Sequence, residues 1–152
     1  MNQNAAQAGT ASNQLVLPQY VDEVMTQNVM TLRPGDSFSD AVQLMATQHV
    51  RHSVVVDEQG RIRGVISDRD VLRALGRTSD WQSKSVSEIM THDPYVIHPR
   101  SAVVDALAQL LERRINCLPV VSDGGQVCGI VTSTDLLKSY RKVLESRIAE
   151  ER

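Results

Sequence analysis

Aromatic residues are nearly missing from this chain of 152: one Phe, one Trp and three Tyr, 3% in all. A core must therefore be aliphatic, and the stacking platforms that single-stranded nucleic acids use are lacking. Charge of one sign is missing as well. Sixteen Lys and Arg stand against eighteen Asp and Glu, for a net charge of −2 and a pI of about 6.1. That excludes a protein that coats nucleic acid by charge alone, and no RNP-like or helix-turn-helix pattern is present. No apolar run approaches the roughly 18 residues of a membrane span. The N-terminus lacks the basic start and apolar core of a secretory signal. Only two cysteines occur, Cys117 and Cys128, without C-x-x-C spacing and on apolar, strand-like stretches. They are expected to be reduced, buried thiols of a cytoplasmic protein rather than a disulfide. His49, His52, His92 and His98 share no metal-ligand spacing on one element, so no metal is required. A P-loop lysine, a G-x-G-x-x-G turn and a Ser/His/Asp or Cys/His set are all absent, which argues against an enzyme.

What is present is an internal repeat. A shift of 65 residues superimposes 21–75 on 86–140 without a gap, and thirteen of the 55 positions are identical. The identities include Glu23/Glu88, Met25/Met90, Thr26/Thr91, Gly64/Gly129 and Asp70/Asp135. Several of the remaining positions exchange one aliphatic residue for another, such as Val24/Ile89, Leu32/Ile97 and Ile66/Val131. The expected organisation is an uncharged, disordered tail over 1–14, a first repeat over 15–75 and a linker with Trp81 over 76–85. A second repeat over 86–140 and a helical extension over 141–152 follow.

Each repeat reads as β-α-β-β-α. Val29–Leu32 and Tyr95–Ile97 are short strands, and Pro34-Gly-Asp36 and Pro99-Arg-Ser101 are turns ending in helix caps. Phe38, Ala41, Val42, Met45 and His49 recur at helical spacing, with His49 expected to pack partly buried; Val103, Ala106, Leu107, Leu110 and Leu111 form the matching stripe. Ser53–Val56 and Leu118–Val121 begin β-hairpins that turn at Gly60 and Gly125 and return through Ile62–Ile66 and Val127–Val131. Ser67 and Asp70, like Thr132 and Asp135, pair as helix-start signatures at the strand ends. Such a helix start favours an anion. The fold class is α/β (α+β). A 55-residue unit buries too little apolar surface alone, so the repeats should pack sheet to sheet about a pseudo-twofold. Leu136, Leu137, Tyr140, Val143, Leu144 and Ile148 form a stripe beyond what one unit needs.

The paired Glu-h-Met-Thr starts, the Pro-Val-Val strand and the Gly-h-h-[Ser/Thr]-x-x-Asp ends resemble a tandem pair of CBS domains, the cystathionine β-synthase type. The resemblance covers about four-fifths of the chain, and the expectation is a stand-alone pair. It implies a regulatory sensor that binds an adenosine nucleotide (AMP, ADP, ATP or similar) in the cleft between repeats. On that resemblance Asp70 and Asp135 take the ribose, and Ser67 and Thr132 lie near the phosphate. Arg51, His52 and Arg69 help with phosphate charge in the first unit, and Thr31, Val54 and Pro119 join the candidate set. The expected partners are the small ligand, a second copy of the chain in a homodimer and an unknown protein effector, with no nucleic acid and no membrane. Two readings remain beside this: Ser67/Asp70 and Thr132/Asp135 as ordinary caps, and a dimerising scaffold with an empty cleft.

Overall fold

The computed structural model describes residues 16–152. The tail expected over 1–14 lies outside the described residues. A 3-10 turn at Val21–Glu23 opens the first repeat, followed by β1 (Thr31–Leu32), α1 (Phe38–Gln48), β2 (His52–Val56), β3 (Ile62–Ser67) and α2 (Asp68–Arg77). A second 3-10 turn, Trp81–Ser83, stands in the connection, where the Trp81 ring packs 4.9 Å from that of Phe38. Then come α3 (Val86–Ile89), β4 (Thr91–His92), α4 (Val103–Arg113), β5 (Cys117–Val121), β6 (Val127–Thr132) and α5 (Ser133–Glu150).

The architecture is the mixed α/β arrangement expected. β1 runs parallel to β2 with Thr31 opposite Val54, and β2 and β3 form an antiparallel hairpin. β5 and β6 repeat that hairpin, with Ile97 bridging in parallel to Val120. Gly60 and Gly125 supply the positive φ of the two hairpin turns, 76° and 81°. The hairpins meet where the Val127 N–H donates to the Gly60 carbonyl at 3.0 Å. Val54, Val56 and Ile130 fill the layer between them.

The lead-in segments cross over. β4, which begins the second repeat in sequence, pairs antiparallel with β3 of the first, Thr91 opposite Val65. In the mirror relation Thr26 bridges antiparallel to Ile130 of β6, with N–H to carbonyl distances of 2.9 and 3.0 Å. The cores follow the same exchange. Val86, Met90 and Ile89 complete the core of Leu32, Ala41, Val55 and Ile66. Val21, Val24 and Met25 complete the core of Ile97, Ala106, Leu118 and Val131. Each sequence repeat thus closes the apolar core of the other, which removes the difficulty a 55-residue unit has in burying enough surface by itself.

Three local expectations change. The strands expected at Val29–Leu32 and Tyr95–Ile97 shrink to Thr31–Leu32 and to the single bridge at Ile97. Each lies at a sheet edge, and the chain turns at Pro34 or Pro99 before more pairs can form. His49 does not pack. It is the left-handed C-cap of α1 (φ 53°) and is exposed, while Leu44 and Met45 reach the core. Of the two apolar stripes, Val42, Leu107 and Leu111 do not reach the core and are 40%, 40% and 75% exposed.

Candidate functional site

α2 and α5 begin the same way, for a reason visible in their first four residues. Ser67 and Thr132 hold extended backbone at the N-cap, and each side chain accepts from the N–H three residues on. In return, Asp70 Oδ2 accepts from the Ser67 N–H at 2.8 Å and from its hydroxyl at 2.9 Å. Asp135 Oδ2 accepts from the Thr132 N–H and hydroxyl, both at 2.8 Å. These reciprocal capping boxes satisfy backbone donors that the first turn leaves free. They also anchor each carboxylate by one oxygen. The second oxygens differ: Asp70 Oδ1 accepts from Arg73 Nη1 at 3.0 Å, and Asp135 Oδ1 from the Thr26 hydroxyl at 3.1 Å.

A cleft of about 530 Å³ lies at the start of α2. Arg51, His52, Ser67, Arg69 and Asp70 line it from the first repeat, so five of the expected site residues are brought together. The second repeat also contributes to the lining, with Thr91, His92, Tyr95, Arg114 and Cys117 among its residues. Thr132 and Asp135 stand at the equivalent helix start of the second repeat, where Asp135 borders a groove of about 310 Å³ with Glu23, Lys138 and Lys142. Thr31, Val54 and Pro119 do not line the first cleft. Val54 and Pro119 are fully buried, Val54 between the sheets and Pro119 in β5 opposite Ile130.

Electrostatics in the cleft are governed by guanidinium groups. Arg51 Nε donates to Asp68 at 3.0 Å. Burial pushes the Asp68 carboxyl up, but the Arg51 hydrogen bond and charge, with the Arg69 N–H, outweigh it and hold the group below its usual range. Burial pushes His52 down, against the pull of Asp68, so its ring is neutral near pH 7. Burial, then the charge of Asp70, pushes the Cys117 thiol up to about 12. That thiol remains protonated and is a poor nucleophile. Both cysteines are free, and both are half-buried rather than fully enclosed.

Sequence reasoning missed Arg73, Thr91, Tyr95 and Arg114. The identity of Thr26 with Thr91 was the available signal, because both belong to the segments that cross between repeats. Nothing in the repeat pattern marks Arg114, which reaches the cleft only because the two repeats face each other.

The CBS domain profile matches residues 21–77 and 86–142. The chain belongs to the CBS domain family and is a tandem CBS pair, a regulatory module. It resembles a solved CBS domain pair holding 5′-methylthioadenosine and S-adenosyl-L-methionine, at 27% identity and a TM-score of 0.75 over 81% of this chain and 96% of that one. It also resembles CBSX2 of Arabidopsis thaliana in complex with AMP, at 30% identity and a TM-score of 0.75 over 82% of this chain and 97% of that one. Among curated sequences it is 31% identical over 117 residues to inosine-5′-monophosphate dehydrogenase of Methanocaldococcus jannaschii, covering 77% of this chain and 23% of that enzyme. The chain spans 23–41% of the length of such curated relatives. Among the described residues no helix is long and apolar enough to cross a membrane, and no three His, Cys, Asp or Glu side chains are grouped to hold a metal.

Proposed function

We propose that this protein is a cytoplasmic sensor that binds an adenosine nucleotide such as AMP, ADP or ATP in the cleft at Asp70, without catalysis and without a metal. It acts as a homodimer and passes its ligand state to a protein effector. The observation that carries this reading is the capped, 7%-exposed Asp70 carboxylate, set at a helix start in a 530 Å³ cleft between the repeats. A carboxylate is a double acceptor suited to a cis-diol such as ribose. Ser67, at the helix N-terminus, stands where a phosphate is favoured, and Arg51 and Arg69 offset the negative charge of Asp70. The AMP complex of CBSX2 and the adenosine compounds in the other CBS pair support the ligand class.

The two helix starts are unequal. Arg51 and Arg69 correspond to Asn116 and Thr134 in the second repeat. Guanidinium groups match phosphate oxygens in a bidentate way, while Asn and Thr offer neutral contacts. The Asp70 site therefore takes the more highly phosphorylated ligand, and the Asp135 site binds a less charged adenosine compound, binds weakly or stays empty. Titration calorimetry with AMP, ATP and adenosine tests this. Binding that Asp70→Ala weakens supports the reading, and a loss of ATP affinity in Arg69→Ala without an equal loss for adenosine supports the asymmetry.

A dimerising scaffold is the second reading, favoured by the capping boxes, which by themselves account for Ser67, Asp70, Thr132 and Asp135. Melting with and without nucleotides separates the two, since a ligand specific to the folded state raises the midpoint.

A further inference from the structure

We propose that Arg114, which belongs to the second repeat, is an anion-binding residue of the cleft built on Asp70, so that a phosphorylated ligand there is gripped from both repeats. The inference rests on the adenosine-nucleotide reading above and adds a residue that the helix-start motif does not contain.

Backbone geometry is the first observation. Arg114 is the C-cap of α4 in the left-handed region, φ 54°. Helices that end this way ordinarily place Gly there, sometimes Asn, because a Cβ is strained at positive φ. Among the described residues only His49, Asp93 and Arg114 are non-glycine residues with positive φ, and two of them, Asp93 and Arg114, line this cleft. The equivalent C-cap of the first repeat, His49, is left-handed as well but does not line the cleft, so the turn belongs to both repeats and only its second copy brings a guanidinium to this site.

Charge pairing is the second observation. Four arginines line the cleft. Arg51 is held by Asp68 and Arg73 by Asp70, each at 3.0 Å. Arg69 and Arg114 enter no ion pair among the described residues, and they stand on opposite repeats. The neighbouring Arg113 does not itself line the cleft; its guanidinium stacks 3.7 Å from the centre of the ring of Tyr95, which does. Asp68 and Asp70 already have their cations, which leaves Asp93 as the cleft carboxylate without one. Two free guanidinium groups against one free carboxylate make the cleft an attractive place for an anion.

The test uses the full chain, with AMP and adenosine as probes in titration calorimetry, and the variants Arg114→Gly and Arg114→Lys. Glycine relieves the left-handed cap, so the melting temperature of Arg114→Gly should hold or rise. Its AMP affinity should fall about ten- to hundredfold, the loss typical of a charged hydrogen bond, while adenosine affinity stays within about twofold, the charged contact being absent there. Arg114→Lys, which keeps the charge, should recover part of the AMP affinity. An unchanged ratio of AMP to adenosine affinity in Arg114→Gly would overturn the assignment, and so would equal losses for both probes. If the unmodified chain binds neither probe, the nucleotide reading itself falls and this inference with it. If it binds AMP and only the ratio stays constant, Arg114 alone is wrong.

Discussion

The Thr91 backbone crosses so close to Gly64 that a Cβ on that glycine would stand 2.7 Å from the Thr91 carbonyl oxygen and 2.5 Å from Met90 Sδ. This is where β4 pairs beside β3, and it explains why glycine recurs at 64 and, beside the Thr26 segment, at 129. At Gly129 the same Cβ would meet Met25 Sδ at 2.6 Å, but the Thr26 carbonyl only at 3.2 Å. A methionine tip can swing aside and a laddered carbonyl cannot. Gly64→Ala should therefore cost about 1–3 kcal/mol, the range for overpacking, and Gly129→Ala less. Urea unfolding of the two variants checks the order, and equal losses would contradict the account.

Capping and binding can be separated at Asp70. Asp40 closes the capping box of α1, accepting from the Ser37 N–H at 2.9 Å, and does not line the cleft. Removing either carboxylate should lower stability by about 1 kcal/mol, the usual value of a cap. Only Asp70→Ala should also weaken an adenosine ligand, by about ten- to hundredfold for a lost charged acceptor. Asp135→Ala should weaken whatever occupies the second site. If Asp70→Ala and Asp40→Ala both leave calorimetric affinity intact, Asp70 is a cap and nothing more.

The helical faces carry apolar surface without an intramolecular partner. Leu111, Leu137 and Tyr140 are 75%, 68% and 61% exposed, and Ile148 is 53% exposed farther along α5. A face of this kind favours association about a twofold. Light scattering at micromolar concentration should give twice the chain mass of 16.8 kDa, and Leu137→Glu should shift the protein toward monomer. A monomer in the unmodified protein would remove the dimer from the functional reading.

Acid should destabilise the fold in two stages. The ordinary histidine value is 6.5, and burial pushes His52 below it. The unfolded chain thus takes up a proton first, and stability declines as pH falls from about 6.5 to the folded value of His52. Backbone hydrogen bonds from Ser37 hold Asp40 down, and those from Ser85 and Tyr20 hold Glu88 and Glu23 down. Their stabilisation is complete above the ordinary glutamate value of 4.5 and is lost below it, as pH falls through the folded values. His52→Gln should abolish the first stage and leave the second. Stability that stays flat between pH 7 and 5 in the unmodified chain would contradict the role given to His52.

Much of this was legible in order along the chain. The hairpin turns at Gly60 and Gly125, the helix starts at Ser67 and Thr132 and the two-unit organisation depend on neighbours within a few residues or on the 65-residue identity pattern. His49 was misread because it continues a helical stripe in sequence. Whether a residue ends a helix in the left-handed region depends on the turn that follows, and the stripe is silent on that.

The sequence by itself determined that one supersecondary unit is built twice, that its core is aliphatic and that Asp70 and Asp135 stand at equivalent helix starts. These features rest on local hydrogen bonds, on the spacing of apolar residues and on self-similarity. Tertiary structure alone decided which lead-in closes which core, with Met90 and Thr91 crossing to the first repeat and Met25 and Thr26 to the second. It also decided that Arg114, 44 positions from Asp70 in the chain, would share a cleft with it. The reason is that a pair of similar units offers each segment two chemically similar places to pack. Pattern cannot distinguish the two; the length of the connection and the burial of both faces of each sheet can.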